Sequence, residues 1–178
     1  PRARRKICKD KIDGSRWLEV MREAHKLGLK STCTMLYGHV ETDEEIIDHL
    51  EKVRQLQDET GGFMAFIPLA FNPELSALGK AFRPTTGVKD LQMLALSRLY
   101  LDNIDHIKTY WVTCGLEMAQ LGLSYGADDL HGTVYEENIM HMAGSKTPFM
   151  ISVSDLKNMI HQAGYKAYQR DSVYNIIQ

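Results

Sequence analysis

The spacing of apolar residues along the chain switches repeatedly between an extended and a helical period. Short runs rich in strand-forming residues predict β-strands over 31–37, 63–71, 106–112 and 128–134. Apolar residues three or four positions apart predict helices over 15–27, 43–60, 88–102, 115–125, 135–143 and 153–163. Each predicted strand is followed by a helix, and this alternation favours parallel strands joined by crossover helices.

Polar residues indicate where several of these helices begin. Ser15 is the expected N-cap of the first helix, and the basic segment 1–14 before it is expected to be irregular. The stretches 42–45 and 152–155 have the pattern of capping boxes. One helix has a predicted inward stripe, formed by Val88, Leu91, Leu94, Ala95 and Leu99.

The run from Phe63 to Phe71 is apolar at almost every position. Continuous apolarity is typical of a strand that is buried on both faces of a parallel sheet. Pro68 lacks a backbone N–H, so it predicts that this strand breaks off near its C-terminal end. The loop over 72–87 is expected to be functional, because long irregular loops are uncommon inside compact domains.

Four strand–helix units are half of a (β/α)8 barrel. We therefore predict an α/β fold in which residues 1–178 form a single domain, the second half of a TIM barrel with a C-terminal helix and tail. Such a fragment leaves two sheet edges open, so we expect another chain to complete it or copies to self-associate. A small doubly wound sheet is the alternative, although no Gly-rich phosphate loop follows the first predicted strand.

Composition and charge argue against several classes of protein. Apolar residues make up 44% and charged residues 25% of the chain, and the net charge is -2. These values do not favour a nucleic-acid binder or an anionic-membrane binder. No apolar run approaches the roughly 18 residues that span a bilayer, and the basic N-terminus lacks the apolar segment of a signal peptide. Because the chain begins with proline in mid-pattern, we interpret it as a fragment.

The three cysteines, Cys8, Cys33 and Cys114, are widely spaced. Their odd number and spacing do not suggest a disulfide framework, and a reducing cytoplasm is the expected location. Without a C-x-x-C pair, the chain has no local motif for zinc or for an iron–sulfur cluster.

In a barrel, ligands contact the C-terminal ends of the strands. Gly38 stands where the first strand must stop and would let a planar ligand approach the backbone, with His39 next to it; a plain strand–helix loop is the alternative. Glu136 is expected in the first turn of the helix predicted over 135–143, where an acid complements the helix dipole or accepts a hydrogen bond from a ribose or an amine. Lys108 and Trp111 lie three apart on a predicted strand, so at most one of them faces the lumen.

The stretch Leu36-x-Gly38-x-x-Glu41 resembles the later part of the G-x-I-x-G-x-x-E pattern on the fifth strand of radical S-adenosylmethionine barrels, with Thr34 in place of the first glycine. Three longer stretches resemble the branch that holds the futalosine-pathway menaquinone enzymes and the coenzyme F420 synthase subunits: 35–42, 57–63 and 132–144. Within that branch, four stretches are most similar to the aminofutalosine synthases: 66–71, 101–111, 126–130 and 170–175.

This resemblance implies an enzyme of menaquinone biosynthesis that uses S-adenosylmethionine and a four-iron four-sulfur (4Fe-4S) cluster. In that family, a 5′-deoxyadenosyl radical adds to 3-((1-carboxyvinyl)oxy)benzoate, and loss of CO₂ follows. The family's C-x-x-x-C-x-x-C motif has no counterpart in this chain. The resemblance therefore implies that an N-terminal half holds the cluster, that this half is the partner of the chain, and that the isolated chain is inactive.

Residues that match the family's motifs are carried over as expectations, and no metal ligand is expected in this chain. The residues expected on the S-adenosylmethionine side are Leu36, Gly38, Glu41, Ile67 and Pro68. The residues expected on the substrate side are His39, Asn72, Trp111 and Glu136.

Other hypotheses stay open at this point. The nearest sibling is the cyclase that makes cyclic dehypoxanthine futalosine. Outside enzymes, the chain could be a half-barrel that dimerises and binds a nucleotide or an aromatic acid, or a fragment without function. An upstream reading frame that encodes the cysteine motif would favour the enzyme, and a native methionine start at this point would favour the binding module.

Overall fold

The structure is a computed structural model that describes residues 2–74, 79, 82–134, 138–142, 144 and 146–177. Its sheet contains strands β1 (Ser31–Tyr37), β2 (Phe63–Ala70) and β3 (His106–Ile107). The strands are parallel and lie in the order β1-β2-β3. The predicted α/β class and parallel sheet are therefore confirmed, with sequential strands adjacent as in part of a barrel.

The described part of the chain forms eight α-helices: α1 Arg2–Ile7, α2 Gly14–Lys26, α3 Asp43–Thr60, α4 Gly87–Tyr100, α5 Trp111–Cys114, α6 Leu116–Gly122, α7 Asn138–Met142 and α8 Val153–Gln162. The predicted capping box of α3 is confirmed, because the Thr42 and Glu45 side chains each bond the other residue's backbone N–H. Gly61 ends α3 in the left-handed conformation.

Two apolar clusters hold these elements together. The first lies between the sheet and helices α2, α3 and α4, with Leu50, Phe66 and Ile107 fully buried in it. The second surrounds Trp111 and includes Leu156 of α8. Burying side chains of this size stabilises the fold by about 1.5–3 kcal/mol each.

Two predictions about the N-terminal region were wrong. The basic segment is partly helical, since α1 covers Arg2–Ile7. The N-cap of α2 is Asp13, whose Oδ1 accepts a hydrogen bond of 2.8 Å from the Arg16 N–H, so the helix begins one residue before Ser15.

The predicted inward stripe of α4 was also partly wrong. Val88 is 68% exposed and Leu99 81% exposed, whereas Asp90, Met93, Leu94 and Ser97 are buried. The predicted stripe and the observed buried residues both have helical spacing. The observed set, however, includes the carboxylate of Asp90, which the apolar pattern alone would place on the solvent-exposed face of α4. Asp90 is accommodated because its Oδ1 accepts a 2.8 Å hydrogen bond from the Tyr37 hydroxyl.

The break that Pro68 predicted near the C-terminal end of β2 is found on one side of the strand: pairing with β3 stops before Pro68, whereas pairing with β1 continues to Ala70. The Phe66 carbonyl accepts from the Lys108 N–H, so backbone groups of Phe66 face β3, and those of Pro68 face the same side two residues later. Pairing with β3 ends at the Phe66–Ile107 pair. The next bond of this ladder would run from the N–H of residue 68 to the carbonyl oxygen of Lys108, and proline has no N–H to donate, so Pro68 ends the pairing on this side of β2.

The two later strands are much shorter than predicted. β3 covers only His106–Ile107, and Trp111 begins helix α5 instead of ending a strand over 106–112. The predicted strand over 128–134 is reduced, among the described residues, to one parallel bridge between Lys108 and Asp129. Three strands and this bridge are observed, and four full strand–helix units are not.

Candidate functional site

Side chains of the sheet divide between a helix-covered face and an open face. Cys33, Met35 and Tyr37 of β1 are buried under the helices, whereas Thr34 and Leu36 between them are exposed. The register pairs Thr34 with Ile67 and Leu36 with Leu69, so these four residues share the open face. In a closed barrel this face would line the lumen.

β1 is followed by a turn over residues 38–41, which we call the Gly38 turn. The Glu41 carboxylate holds this turn together. Glu41 accepts hydrogen bonds from the backbone N–H groups of Gly38 and His39, the latter at 2.9 Å. Burial would raise the pKa of Glu41, but these bonds, its own N–H and the His39 side chain lower the pKa to about 2. Glu41 thus fixes the backbone that follows Leu36.

The His39 ring belongs to the same turn. Its Nδ1 lies 2.7 Å from Glu41 Oε2, and its Nε2 lies 3.0 Å from the carbonyl oxygen of Leu36. The side chain is only 4% exposed. Both ring nitrogens therefore contact groups of the chain itself, and the ring supports the turn.

Replacing Gly38 with Ala should lower the free energy of unfolding by about 2–4 kcal/mol, which urea denaturation followed by circular dichroism would measure. Gly38 has a φ of +86°, and an added Cβ would lie 2.3 Å from Cγ2 of Thr85. Gly28→Ala is the matched control, because Gly28 has a φ of +80° but nothing within 4 Å of the added Cβ. If both substitutions cost the same, the contact with Thr85 contributes nothing.

Asn72, Ile67 and Pro68 lie on or just after β2. Ile67 is buried on the open face beside Thr34, and Pro68 pairs with Met35. The Oδ1 of Asn72 accepts a 3.2 Å hydrogen bond from the Glu74 N–H, which makes a local turn after the strand. Ile67 therefore shares the open face with Leu36, and Asn72 follows the C-terminal end of β2, whereas Pro68 lies with Met35 on the helix-covered face.

Trp111 lies away from that group, in the second apolar cluster. Its side chain is fully buried, and its Nε1–H donates a 3.0 Å hydrogen bond to the Gly132 carbonyl oxygen. Trp111 therefore positions the backbone of Gly132. Glu136, the other substrate-side residue that follows Gly132, lies outside the described residues.

A polar network on the open face was not predicted from the sequence. Oδ2 of Asp129 accepts hydrogen bonds from Arg170 Nε at 2.9 Å, Arg170 Nη2 at 2.6 Å and the Tyr174 hydroxyl at 2.7 Å. Tyr174 also stacks on His106 with 3.8 Å between ring centroids. The C-terminal tail thus packs across the end of β3 and the Lys108–Asp129 bridge, and we call this set of five residues the floor cluster.

One strained backbone position lies within the floor cluster, and a second lies next to it. His131 has a φ of 73° and Tyr174 a φ of 68°, values that are rare for residues with a side chain. The His131 N–H donates a 2.6 Å hydrogen bond to Oδ1 of Asp129, and the Tyr174 hydroxyl bonds the same carboxylate. Asp129 therefore stabilises two conformations that the backbone alone disfavours.

The cysteines do not form a cluster site in the described part of the chain. No group of three His, Cys, Asp or Glu residues is arranged there to hold a metal ion. Burial raises the pKa of the Cys33 thiol, and it raises that of Cys114 to about 11, so neither favours the thiolate that binds metals. Within the same residues, no helix is both long and apolar enough to cross a bilayer.

Comparison with known proteins gives a family and several relatives. The model of the family described as the CofH/MqnC C-terminal region matches residues 60–178. The aminodeoxyfutalosine synthase of Thermus thermophilus is 49% identical over 180 residues, which cover 99% of this chain and 48% of that protein. The 5-amino-6-(D-ribitylamino)uracil–L-tyrosine 4-hydroxyphenyl transferase of Methanoculleus marisnigri is 43% identical over 177 residues, covering 98% and 48%. The chain thus spans about half the length of the curated relatives that it matches.

Proposed function

This chain belongs to the family described as the CofH/MqnC C-terminal region, and from that membership we propose that it is the second half of a radical S-adenosylmethionine barrel. In this proposal residues 1–178 are one domain, and the segment around the Lys108–Asp129 bridge is the fourth strand of the half-barrel. An N-terminal half closes the barrel and holds the 4Fe-4S cluster. The relatives, about twice as long as this chain, support that arrangement.

The activity that we propose for the complete enzyme, meaning this chain joined to such an N-terminal half, is that of an aminodeoxyfutalosine synthase. The single observation that carries it is the 49% identity to the Thermus thermophilus enzyme over almost the whole chain. When bound, S-adenosylmethionine and the cluster would supply the 5′-deoxyadenosyl radical that forms the new C–C bond with 3-((1-carboxyvinyl)oxy)benzoate. This chain contributes binding, orientation and exclusion of water.

The Gly38 turn is proposed to bind the adenosyl side of S-adenosylmethionine. Leu36 is 40% exposed and shares the open face with Ile67, so the two side chains can flank a purine ring. Gly38 follows Leu36 and Tyr37 at the end of β1, Thr85 packs against its Cα, and Glu41 holds its backbone in place. Pro68 would contribute indirectly, by shaping β2, because its register partner Met35 lies on the helix-covered face.

The substrate side is proposed to involve His39, Asn72, Trp111 and Glu136. Asn72, two residues after β2, would contact the substrate directly through its amide nitrogen, which is a hydrogen-bond donor. His39 and Trp111 would act as positioning residues, through Leu36 and Gly132 respectively, because their ring nitrogens contact those carbonyl oxygens.

A second candidate function comes from the transferase relatives, one of which is 43% identical over 98% of this chain. The complete enzyme would then join a 4-hydroxyphenyl group from L-tyrosine to 5-amino-6-(D-ribitylamino)uracil, as that relative's name states. A cyclic dehypoxanthine futalosine synthase, or a half-barrel that only binds a nucleotide, are the remaining candidates. If the second half stands without a partner, its open sheet edges should drive self-association.

The decisive experiment supplies the reconstituted complete enzyme with S-adenosylmethionine, a reductant and each candidate substrate in turn. We expect 3-((1-carboxyvinyl)oxy)benzoate to be consumed with formation of a nucleoside product that mass spectrometry identifies. The 178-residue chain alone is the control and should give no product. Turnover of the ribitylaminouracil with tyrosine instead would replace the first proposal by the second, and turnover of neither would contradict both.

A further inference from the structure

The floor cluster contains more positive than negative charge. Asp129 is its buried carboxylate, and Lys108 and Arg170 both approach Oδ2 of that carboxylate. Arg170 contacts Oδ2 through two nitrogens and Tyr174 through its hydroxyl, so this oxygen already accepts three hydrogen bonds. The other oxygen accepts the His131 N–H. Asp129 therefore accepts four hydrogen bonds from other groups, and Lys108 approaches it only at the longer distance of an ion pair.

Lys108 is the surplus cation of this cluster. Its Nζ lies 3.6 Å from Oδ2 of Asp129, beyond ordinary hydrogen-bond distance, and 5.5 Å from the centre of the Tyr174 ring. The side chain is only 8% exposed. Among the residues that the structure describes, these are its polar contacts. Burial lowers the pKa of Lys108, the nearby Arg170 lowers it further, and Asp129 opposes both effects.

The position of Lys108 on the sheet shows where this surplus charge points. Phe66 and Ile107 are register partners, and both pack on the helix-covered face. Lys108, one residue later, therefore lies on the open face, level with Ile67. The tail residues Arg170 and Tyr174 close the space beneath it. Asp129 is one carboxylate between two cations, so a net positive charge stays buried here, and a second carboxylate is the group that would neutralise it.

We propose that Lys108 binds a carboxylate of a small-molecule ligand in the lumen of the complete enzyme. The inference rests on the proposed function, because it requires the barrel and its ligands. Two ligands of that function carry carboxylates, namely the substrate 3-((1-carboxyvinyl)oxy)benzoate and the methionine part of S-adenosylmethionine. An acidic side chain of the N-terminal half would be a different partner, and finding it would overturn the proposal.

The test compares the complete enzyme with its Lys108→Gln variant by calorimetric titration without turnover. Each ligand is titrated separately, and a carboxamide analogue of each is titrated beside it. We expect the Kd of one carboxylate ligand to rise about 10- to 100-fold in the variant, because charge-assisted hydrogen bonds are lost. Lys108→Arg should restore part of the affinity. Lys26→Gln, at an exposed position of α2, is the matched control and should leave both Kd values unchanged.

The outcomes separate this inference from the proposed function. If only the Kd of the benzoate ligand rises, Lys108 binds the carboxylate of the substrate. If only the Kd of S-adenosylmethionine rises, Lys108 binds the carboxylate of that ligand. The inference is overturned if Lys108→Gln leaves both Kd values unchanged, or if it lowers only the stability of the enzyme. Either result would leave the proposed function standing as long as the wild-type enzyme still releases 5′-deoxyadenosine. A wild-type enzyme that binds neither ligand contradicts the proposed function itself. Retained preference for carboxylate over carboxamide in Lys108→Gln would also overturn the inference.

Discussion

Replacing Asp129 with Asn should lower the free energy of unfolding of the complete enzyme by about 3–5 kcal/mol, because breaking a buried ion pair leaves its cations without compensation. The carboxylate lies against Arg170 at 2.6 Å and Lys108 at 3.6 Å and is itself buried. Asn keeps the shape of the side chain but removes the negative charge. Thermal or urea denaturation followed by circular dichroism would measure the loss.

Asp102→Asn is the matched control for this prediction. Asp102 pairs with Arg54 at the surface, and its side chain is 68% exposed. Exposed pairs of this kind contribute about 0–1 kcal/mol, since solvent screens them. Equal losses for Asp129→Asn and Asp102→Asn would show that the floor cluster does not stabilise the fold as its burial implies.

Asp129→Asn should also change how the free energy of unfolding depends on pH. The sign of this change follows from the pKa of Asp129. Burial would raise that pKa, but the Tyr174 hydroxyl, the Lys108 and Arg170 charges and the His131 N–H lower it below its usual value. A lowered pKa contributes stability above the unfolded pKa of about 3.9 that is lost as pH falls through the folded pKa. Asp129→Asn should therefore reduce the loss of stability seen on acidification below about pH 4.

Local signals in the sequence predicted the first part of the fold well. The limits of β1, the capping box before α3 and the glycine after it are all confirmed, because each depends on residues within a few positions of one another. The resemblance of 35–42, 57–63 and 132–144 to one branch of such enzymes also correctly indicated the family. Local signals could not show that the break at Pro68 affects only the pairing with β3, because that depends on which neighbouring strand the Pro68 backbone faces.

The floor cluster could not be predicted in this way, because its partners are distant along the chain. Arg170 and Tyr174 lie 41 and 45 positions after Asp129, and no periodic pattern connects them. The sequence did predict that Lys108 and Trp111 would not both face the lumen. The structure places Lys108 on the open face and Trp111 in a buried helix, and the helix arises where a longer strand had been predicted.

Trp111→Ala should be as destabilising as the loss of Asp129, lowering the free energy of unfolding by about 3–5 kcal/mol through the cavity that it leaves. Trp111 is fully buried in the second apolar cluster, and its indole N–H donates to Gly132. Trp111→Phe keeps most of the apolar volume but loses that bond, so its smaller cost reports on the Gly132 contact together with a smaller loss of packing.

Trp17→Ala is the matched control for the cavity, because Trp17 is only partly buried and stacks on Phe63 with ring centroids 6.1 Å apart. Both tryptophans are changed in this series, so circular dichroism rather than fluorescence should follow unfolding. If Trp111 acts only as a positioning residue, Trp111→Phe should clearly lower the free energy of unfolding of the complete enzyme. The same variant should raise the KM for the substrate only slightly. A large rise in KM with unchanged stability would instead show that the indole contacts the substrate directly, and the packing around Gly132 would then have to rearrange when the barrel closes.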